Sequence, residues 1–333
     1  MNRFDKLKIV AASADYINNI DKSKFETCMK DGIITCYRYS NQSRHQPECS
    51  CQLFIEKDII EDEVIIEFTG KILGEHYPDL INKTNIRQCL ENIIALGVCT
   101  LDIDAILKEG KVVKADVTHD VEDPNLSTLH KEIKSCIKNT ELYKVKKRKD
   151  NLTIEKDTLT KDRKRRLTIY DKEREMDKAK NKRWLKSHGE AASNRMREYF
   201  KGKIRFEMNL NTMAAIRDEL NIQDTSISTV LESDNNPIMQ FLDEILIDND
   251  IFRVAKTQTD LGRLALLEKC GYDMEVLRRQ IDRVRSPNSH ITRILEPYRQ
   301  LLNGLYKVSD DSLKTRLRMA LLEIFLIGLI VSI

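Results

Sequence analysis

Two stretches decide how this chain is read: Arg166-Leu-Thr-Ile-Tyr-Asp-Lys-Glu-Arg-Glu-Met176 and Lys203-Ile-Arg-Phe-Glu-Met-Asn-Leu210. Each opens as a short run alternating apolar and polar residues, the period-2 pattern of a half-buried strand. In the first, Leu167 and Ile169 take one face while Thr168 and Tyr170 take the other. In the second, Ile204, Phe206 and Met208 pack, and Arg205, Glu207 and Asn209 point away. A third run, Lys111-Val-Val-Lys-Ala-Asp-Val-Thr-His-Asp120, behaves likewise. There Val113, Ala115, Val117 and His119 share the packed side, and Lys114, Asp116, Thr118 and Asp120 share the other. Three strands of one sheet then offer Asp116, Tyr170 and Glu207 on a common face.

That set suits phosphodiester chemistry. Carboxylate oxygens bind a hard divalent cation such as Mg²⁺ or Mn²⁺. A tyrosine hydroxyl can attack a phosphate in line and keep it as a covalent ester. Lys172 or Arg205 could stabilise the charge that builds on phosphorus. The competing reading makes Tyr170 a sheet-edge residue packed on the following helix and the acids an ordinary solvated strand face. Tyr143 and Tyr199 lack charged strand partners, which favours Tyr170 as the nucleophile. His119 falls on the apolar side and reads as a structural histidine.

The phrases Leu167-Thr-Ile-Tyr-Asp-Lys172 with Glu175, and Ile204-Arg-Phe-Glu-Met-Asn-Leu210, resemble the paired motifs of rolling-circle replication initiators of plasmids and filamentous-type phages. Lys114-Ala-Asp-Val-Thr-His-Asp120 is similar to the strand that carries a metal-binding aspartate in those proteins. The His-hydrophobe-His motif of the wider superfamily is missing, and Asp116-Val-Thr118 stands in its place. The resemblance implies an antiparallel-sheet nicking domain that cuts one strand at a double-strand origin. It also implies a 5′-phosphotyrosyl intermediate and a free 3′-OH. By matching position, Tyr170 is the nucleophile, Asp116 and Glu207 are metal ligands, and Lys172 lies near the phosphate. Asp120 is a further metal candidate, and Glu173 and Glu175 are possible helpers. The implied partners are double-stranded origin DNA, single-stranded DNA, a host helicase and polymerase, and a second copy in a homodimer. The alternative is a non-catalytic, sequence-specific DNA-binding regulator. A structural or partner protein of a phage or plasmid is a third reading, with no specific feature behind it.

Charge distribution says more than net charge. The chain has 333 residues, 33% charged and 41% apolar, with a net charge of +3. Between Tyr143 and Arg166 eleven Lys/Arg face four acids, which reads either as a solvated linker or as a phosphate-contacting stretch. The residues expected to touch DNA are Lys146, Lys147, Arg148, Lys149, Arg163, Lys164, Arg165, Arg166 and Arg205.

The remaining signals set the architecture. Strands are expected over Phe4–Ala11, Gly32–Tyr39, Cys51–Glu56 and Asp62–Gly70, and the Asp15–Lys30 stretch reads as partly helical. A helix is expected over Asn85–Leu96. Cys99–Ile106 reads as a strand whose Asp102 and Asp104 share a face. A polar helical run is expected from Glu173 to Tyr199. Past residue 210 strand signals fade and helical periodicity takes over, so the fold class is α+β, with a nicking domain over 1–210 and a helical region over 211–333. Within the latter, Met213–Leu231 reads as two packed helices, with a helix-turn-helix as the alternative. Eight scattered cysteines without CxxC spacing, and no opening apolar run of signal length, point to reduced thiols in the cytoplasm. The apolar run Met319–Ile333 is interrupted by Glu323 and falls short of the roughly 20 residues a membrane span needs, so it reads as a core or interface helix.

Overall fold

The computed structural model describes residues 2–41, 51–122, 126–137, 142–148, 151–156, 165–246, 254–286, 289–309 and 313–330. Its centre is β8 (Lys111–Glu122), a twelve-residue strand. Among the described residues the strands fall into a ten-stranded and a two-stranded sheet. The ten strands are β1 (Phe4–Ala11), β3 (Glu26–Lys30), β4 (Ile33–Ser40), β5 (Leu53–Asp58), β6 (Glu63–Thr69), β8, β9 (Tyr143–Lys147), β10 (Asn151–Lys156), β11 (Arg166–Asp171) and β12 (Lys203–Leu210). Their spatial order is β3-β4-β5-β6-β1-β8-β12-β11-β10-β9, and every pairing is antiparallel. The small sheet pairs β2 (Ile17–Asn18) with β7 (Thr100–Leu101). The fold is α+β.

Register turns the sequence alternation into geometry. Leu7 pairs with Ala115, Val117 with Met208, and Met208 with Leu167, and all five are buried on the apolar face. The opposite face carries three cross-strand rows. One runs Lys6, Asp116, Asn209, Arg166. The next runs Thr118, Glu207, Thr168. The third runs Asp120, Arg205, Tyr170, Asn151. Neighbouring strands lie about 4.8 Å apart, so each row brings its side chains into mutual reach.

One end of this charged face is roofed. The roof is the 3₁₀ segment Gly70–Asp79, kinked at Gly74, with the helices Lys172–Met176, Ala179–Lys186 and Glu190–Phe200. Tyr77, Leu80, Met176, Trp184, Leu185, Met196 and Phe200 form one buried cluster here. Trp184 meets Tyr77 edge-on at 5.4 Å between ring centroids.

Four local expectations change. The Asp15–Lys30 stretch is a 3₁₀ turn, β2 and β3, because Glu26–Lys30 pairs with β4 as the sheet edge. Beyond Leu101 the chain is helical: Asp102 caps the helix Ile103–Glu109 by accepting from Ala105 N at 3.0 Å, so Asp102 and Asp104 form no strand face. The helix stops at Gly110, where a Cβ would lie 2.4 Å from Ile106 O and 2.9 Å from Ile227 Cδ1, so only glycine fits. The basic stretch is no linker where it is described: β9 and β10 form a hairpin that extends the sheet. The long polar helical run is broken into the three short helices of the roof.

Two compact units emerge. The first comprises Met1–His130, Asn139–Phe241 and Ala320–Ile333. It includes the helices Met213–Leu220 and Ile227–Glu232, capped by Thr212 and Ser226. The second of these buries Ile227, Val230 and Leu231, and Val112 N donates to Thr225 O just before it at 2.7 Å. The pair is thus two helices packed against the sheet. The second unit comprises Lys131–Lys138 and Leu242–Met319, with a core of Leu264, Leu267, Leu277, Ile281, Leu295 and Leu301. Among the described residues no helix is long and apolar enough to cross a membrane.

Candidate active site

Tyr170 sits opposite Arg205 in register, with Glu207 on the diagonal, a separation an aromatic side chain can span. Its hydroxyl donates to Glu207 Oε2 at 3.0 Å. It does not meet Arg205 because that guanidinium is turned across the sheet to Asp120. Burial, then the Glu207 charge, pushes the phenol well above its ordinary value. The hydroxyl is therefore neutral and needs a proton acceptor before it can attack. Burial and the Asp5 charge raise the Glu207 carboxyl as well.

Asn209 links the two acids. Its Nδ2 donates to Asp116 Oδ1 at 2.7 Å and to Glu207 Oε1 at 3.3 Å. Its Oδ1 accepts from Arg166 Nε at 2.8 Å. Burial and the nearby Glu207 charge push Asp116 up to about 7. Arg166 is exposed. One partly buried tyrosine, two carboxylates, an amide between them and an exposed guanidinium thus meet on three adjacent strands.

Among the described residues no group of three or more His, Cys, Asp or Glu side chains is arranged to hold a metal ion. The donor set still fits a hard cation. Mg²⁺ keeps several waters and takes one or two protein carboxylates plus phosphate oxygens. The Glu207 charge disfavours ionised Asp116, and a divalent charge between the two would relieve that repulsion.

Two expected residues lie elsewhere in the network. Arg205 is 0% exposed, and both Asp120 oxygens are taken: Arg205 Nε donates to Oδ1 at 2.6 Å and Nη2 to Oδ2 at 2.8 Å. Arg205 is therefore shielded from DNA, and both Asp120 oxygens are engaged in a bidentate ion pair with it. Alternation put both on the correct face, but the roof covers that end of it. Arg205 Nη1 also donates to Asp5 Oδ1 at 2.9 Å and to the Tyr77 hydroxyl at 2.8 Å. Tyr77 in turn donates to Asp5 Oδ1 at 2.8 Å.

Lys172 belongs to the same roofed network. It is 2% exposed, and its Nζ donates to Glu175 Oε2 at 2.7 Å and to the Tyr77 hydroxyl at 2.8 Å. It lies 5.8 Å from the Tyr170 ring centroid, as a fixed positive charge behind the tyrosine. Glu175 holds Lys172, and Glu173 accepts from Gly202 N, so both helpers act on the scaffold. His119 is buried on the apolar face, as expected, but neither ring nitrogen finds a partner.

The basic residues divide. Lys146, Lys147 and Arg148 are exposed on the β9–β10 hairpin, with Lys146 Nζ 3.4 Å from Glu155 Oε2. Arg165 pairs with Glu219. Lys149, Arg163 and Lys164 lie outside the described residues.

Sequence reasoning missed Asn209, Asp5 and Tyr77. Asn209 was legible, two positions past Glu207 on the same face. Asp5 was not: it reaches this face through a register shift between Phe4 and Lys6. Tyr77 sits on the irregular kinked segment, where no periodicity applies.

By fold and site this is an α+β protein with a tyrosine–carboxylate centre on the middle strands of an antiparallel sheet. Residues 81–228 match the family model of a phage replication-associated protein, N-terminal region. The matched segment contains β8, β11 and β12, and with them Asp116, Tyr170, Glu207, Asn209 and Arg166. No curated protein matches the chain, and no solved structure does.

Proposed function

We propose that this protein is a replication initiator that nicks one strand of a DNA origin through Tyr170. The observation that carries the reading is the 3.0 Å hydrogen bond from the Tyr170 hydroxyl to Glu207, next to Asp116. Glu207 is placed to take the phenolic proton as the tyrosine oxygen attacks phosphorus. A bond forms between that oxygen and phosphorus, and the bond from phosphorus to the 3′-oxygen breaks. The 3′-oxygen leaves and takes a proton from solvent, and the phosphate stays on Tyr170 as a 5′-phosphotyrosyl ester. The ester conserves the bond energy for later rejoining.

Other residues hold this geometry. Arg166 is the exposed cation bonded to the amide between the two carboxylates, suited to a non-bridging phosphate oxygen. Asn209 keeps Asp116 and Glu207 aligned. Lys172 and Arg205, fixed through Tyr77, set the potential behind the tyrosine without touching DNA. Asp116 and Glu207 would hold Mg²⁺ or Mn²⁺, which when bound polarises the phosphate and neutralises developing charge. The exposed hairpin cations supply sequence-independent attraction to duplex and single-stranded DNA.

The test is incubation with supercoiled plasmid carrying the cognate origin, with Mg²⁺ or Mn²⁺. Relaxed circles bearing protein on the 5′ end are expected. A Tyr170→Phe protein that nicks as well as wild type overturns the nucleophile. Binding without nicking by the wild-type protein would instead make it a DNA-binding regulator.

A further inference from the structure

The charged face of the sheet is roofed at its Asp120 end and open at the other. The open end carries a pairing that costs the sheet stability. Lys8 of β1 and Lys114 of β8 are direct register partners, one row beyond Lys6 and Asp116 on the same face. Side chains directly opposite in an antiparallel pair have Cβ atoms about 5 Å apart, and like charges there destabilise the ladder.

The protein's own acids do not answer these two charges. Among the described residues neither lysine forms an ion pair. Glu67, opposite Lys8 on the β6 side, is taken by Lys6. Asp116, the next residue along this face of β8, is bonded to Asn209 and belongs to the carboxylate centre. Lys114 is exposed and Lys8 half-buried, so the pair is open to solvent. An anionic oxygen between the two ammonium groups would turn their repulsion into a shared attraction.

We propose that Lys8 and Lys114 together hold a backbone phosphate of the DNA strand where it enters the site from the open end of the face. The inference rests on the nicking reading for its choice of DNA. The roof closes the far end over Asp120 and Arg205, so a strand running along β8 toward the Tyr170 hydroxyl crosses the lysine row. Lys114 lies four residues along β8 from Thr118, the register partner of Glu207, or about 13 Å at about 3.3 Å per residue. The pair therefore takes a phosphate beyond the one attacked. Holding it fixes the direction in which the strand crosses the face and how far it advances. It thereby sets which linkage is presented to Tyr170.

The experiment reads binding alone, so a wrong nucleophile assignment leaves it intact. Full-length Tyr170→Phe protein in EDTA is titrated with a labelled oligothymidylate by fluorescence anisotropy at several salt concentrations. Lys8→Gln and Lys114→Gln are each expected to weaken binding several-fold. The double variant should lower the log K–log salt slope by about 0.7, the value for one single-strand phosphate contact. A second signature is read without DNA. Relief of the like-charge pair should not lower the melting temperature and is expected to raise it by about 1–3 °C. Lys114→Glu, which sets an opposite charge against Lys8, should stabilise further and bind DNA least. Lys22→Gln, at an exposed turn lysine outside the sheet, is the comparison and should alter neither quantity. Unchanged affinity and slope in the double variant overturn the proposal. A melting temperature that drops by several degrees in both single variants also overturns it, because the lysines would then be paired within the fold. If the parent protein binds no oligonucleotide at any salt concentration, the DNA reading itself fails, a result distinct from the other two.

Discussion

The Tyr170 hydroxyl and Glu207 Oε2 lie 3.0 Å apart across the β11–β12 ladder, on the diagonal rather than directly opposite. That diagonal joins the stretch around Tyr170 to the stretch around Glu207 and ties both to Asp116 through Asn209. Removing the hydroxyl is the sharpest check on it. Tyr170→Phe keeps ring packing and loses the hydroxyl proposed as the nucleophile. The covalent protein–DNA adduct should vanish, and nicking should fall more than about a thousandfold. Denaturing gels of labelled origin DNA measure both, with circular dichroism confirming the fold.

Asp116 gives a pH signature. Its carboxyl is pushed up to about 7 in the folded protein, from 3.8. Between those values the native state holds a proton the unfolded chain has lost. Metal-free stability therefore falls as pH rises across that window and levels off once the folded carboxyl has ionised. Asp116→Asn should remove that loss and make the metal-free protein more stable at pH 8, by on the order of a few kcal/mol. Wild-type protein should be stabilised by Mn²⁺ more at pH 8 than at pH 6, because protonated Asp116 is a poor ligand. Urea melts at the two pH values, with and without Mn²⁺, decide it; a metal effect independent of pH contradicts it.

Arg205 is predicted to matter for folding and not for DNA contact. Arg205→Met leaves Asp5 and Asp120 without their buried cation, and should destabilise by about 3–5 kcal/mol. The salt dependence of DNA binding measured below the melting transition should not change. A reduced slope would return Arg205 to the DNA-contacting residues.

The β9–β10 hairpin should behave in the opposite way. Lys147→Gln and Arg148→Gln alter exposed side chains and should leave the melting temperature within about 1 °C. Each should reduce the slope of log K against log salt on duplex DNA by about 0.9 if it meets a phosphate. Unchanged slopes in the double variant would reduce the hairpin to a solvated sheet edge.

How much of this was legible beforehand depends on the range of the interaction. Strand alternation is local, and it assigned Asp116, Tyr170 and Glu207 to one face correctly from three separate segments. Helical periodicity past residue 210 is also local, and it too appears in the structure. The Cys99–Ile106 stretch misled because a two-residue strand and a capped helix N-terminus share one short window. The basic stretch misled because charge density masked the alternation of Leu152 and Ile154, both fully buried.

By itself the sequence determined which residues share a face, where helices replace strands, and the motifs that resemble those of phage replication initiators. Only the tertiary structure decided what each charged residue does there. Asp116 and Asp120 have the same strand, the same face and the same chemistry. They differ because register sets Asp120 against Arg205 under the roof of Tyr77 and Phe200, while Asp116 faces Asn209 and the exposed Arg166. Hydrogen-bond register and the placement of a covering layer are long-range. No local window contains them, and a buried cation bonded to Asp120, Asp5 and Tyr77 looks, in sequence, like any surface arginine.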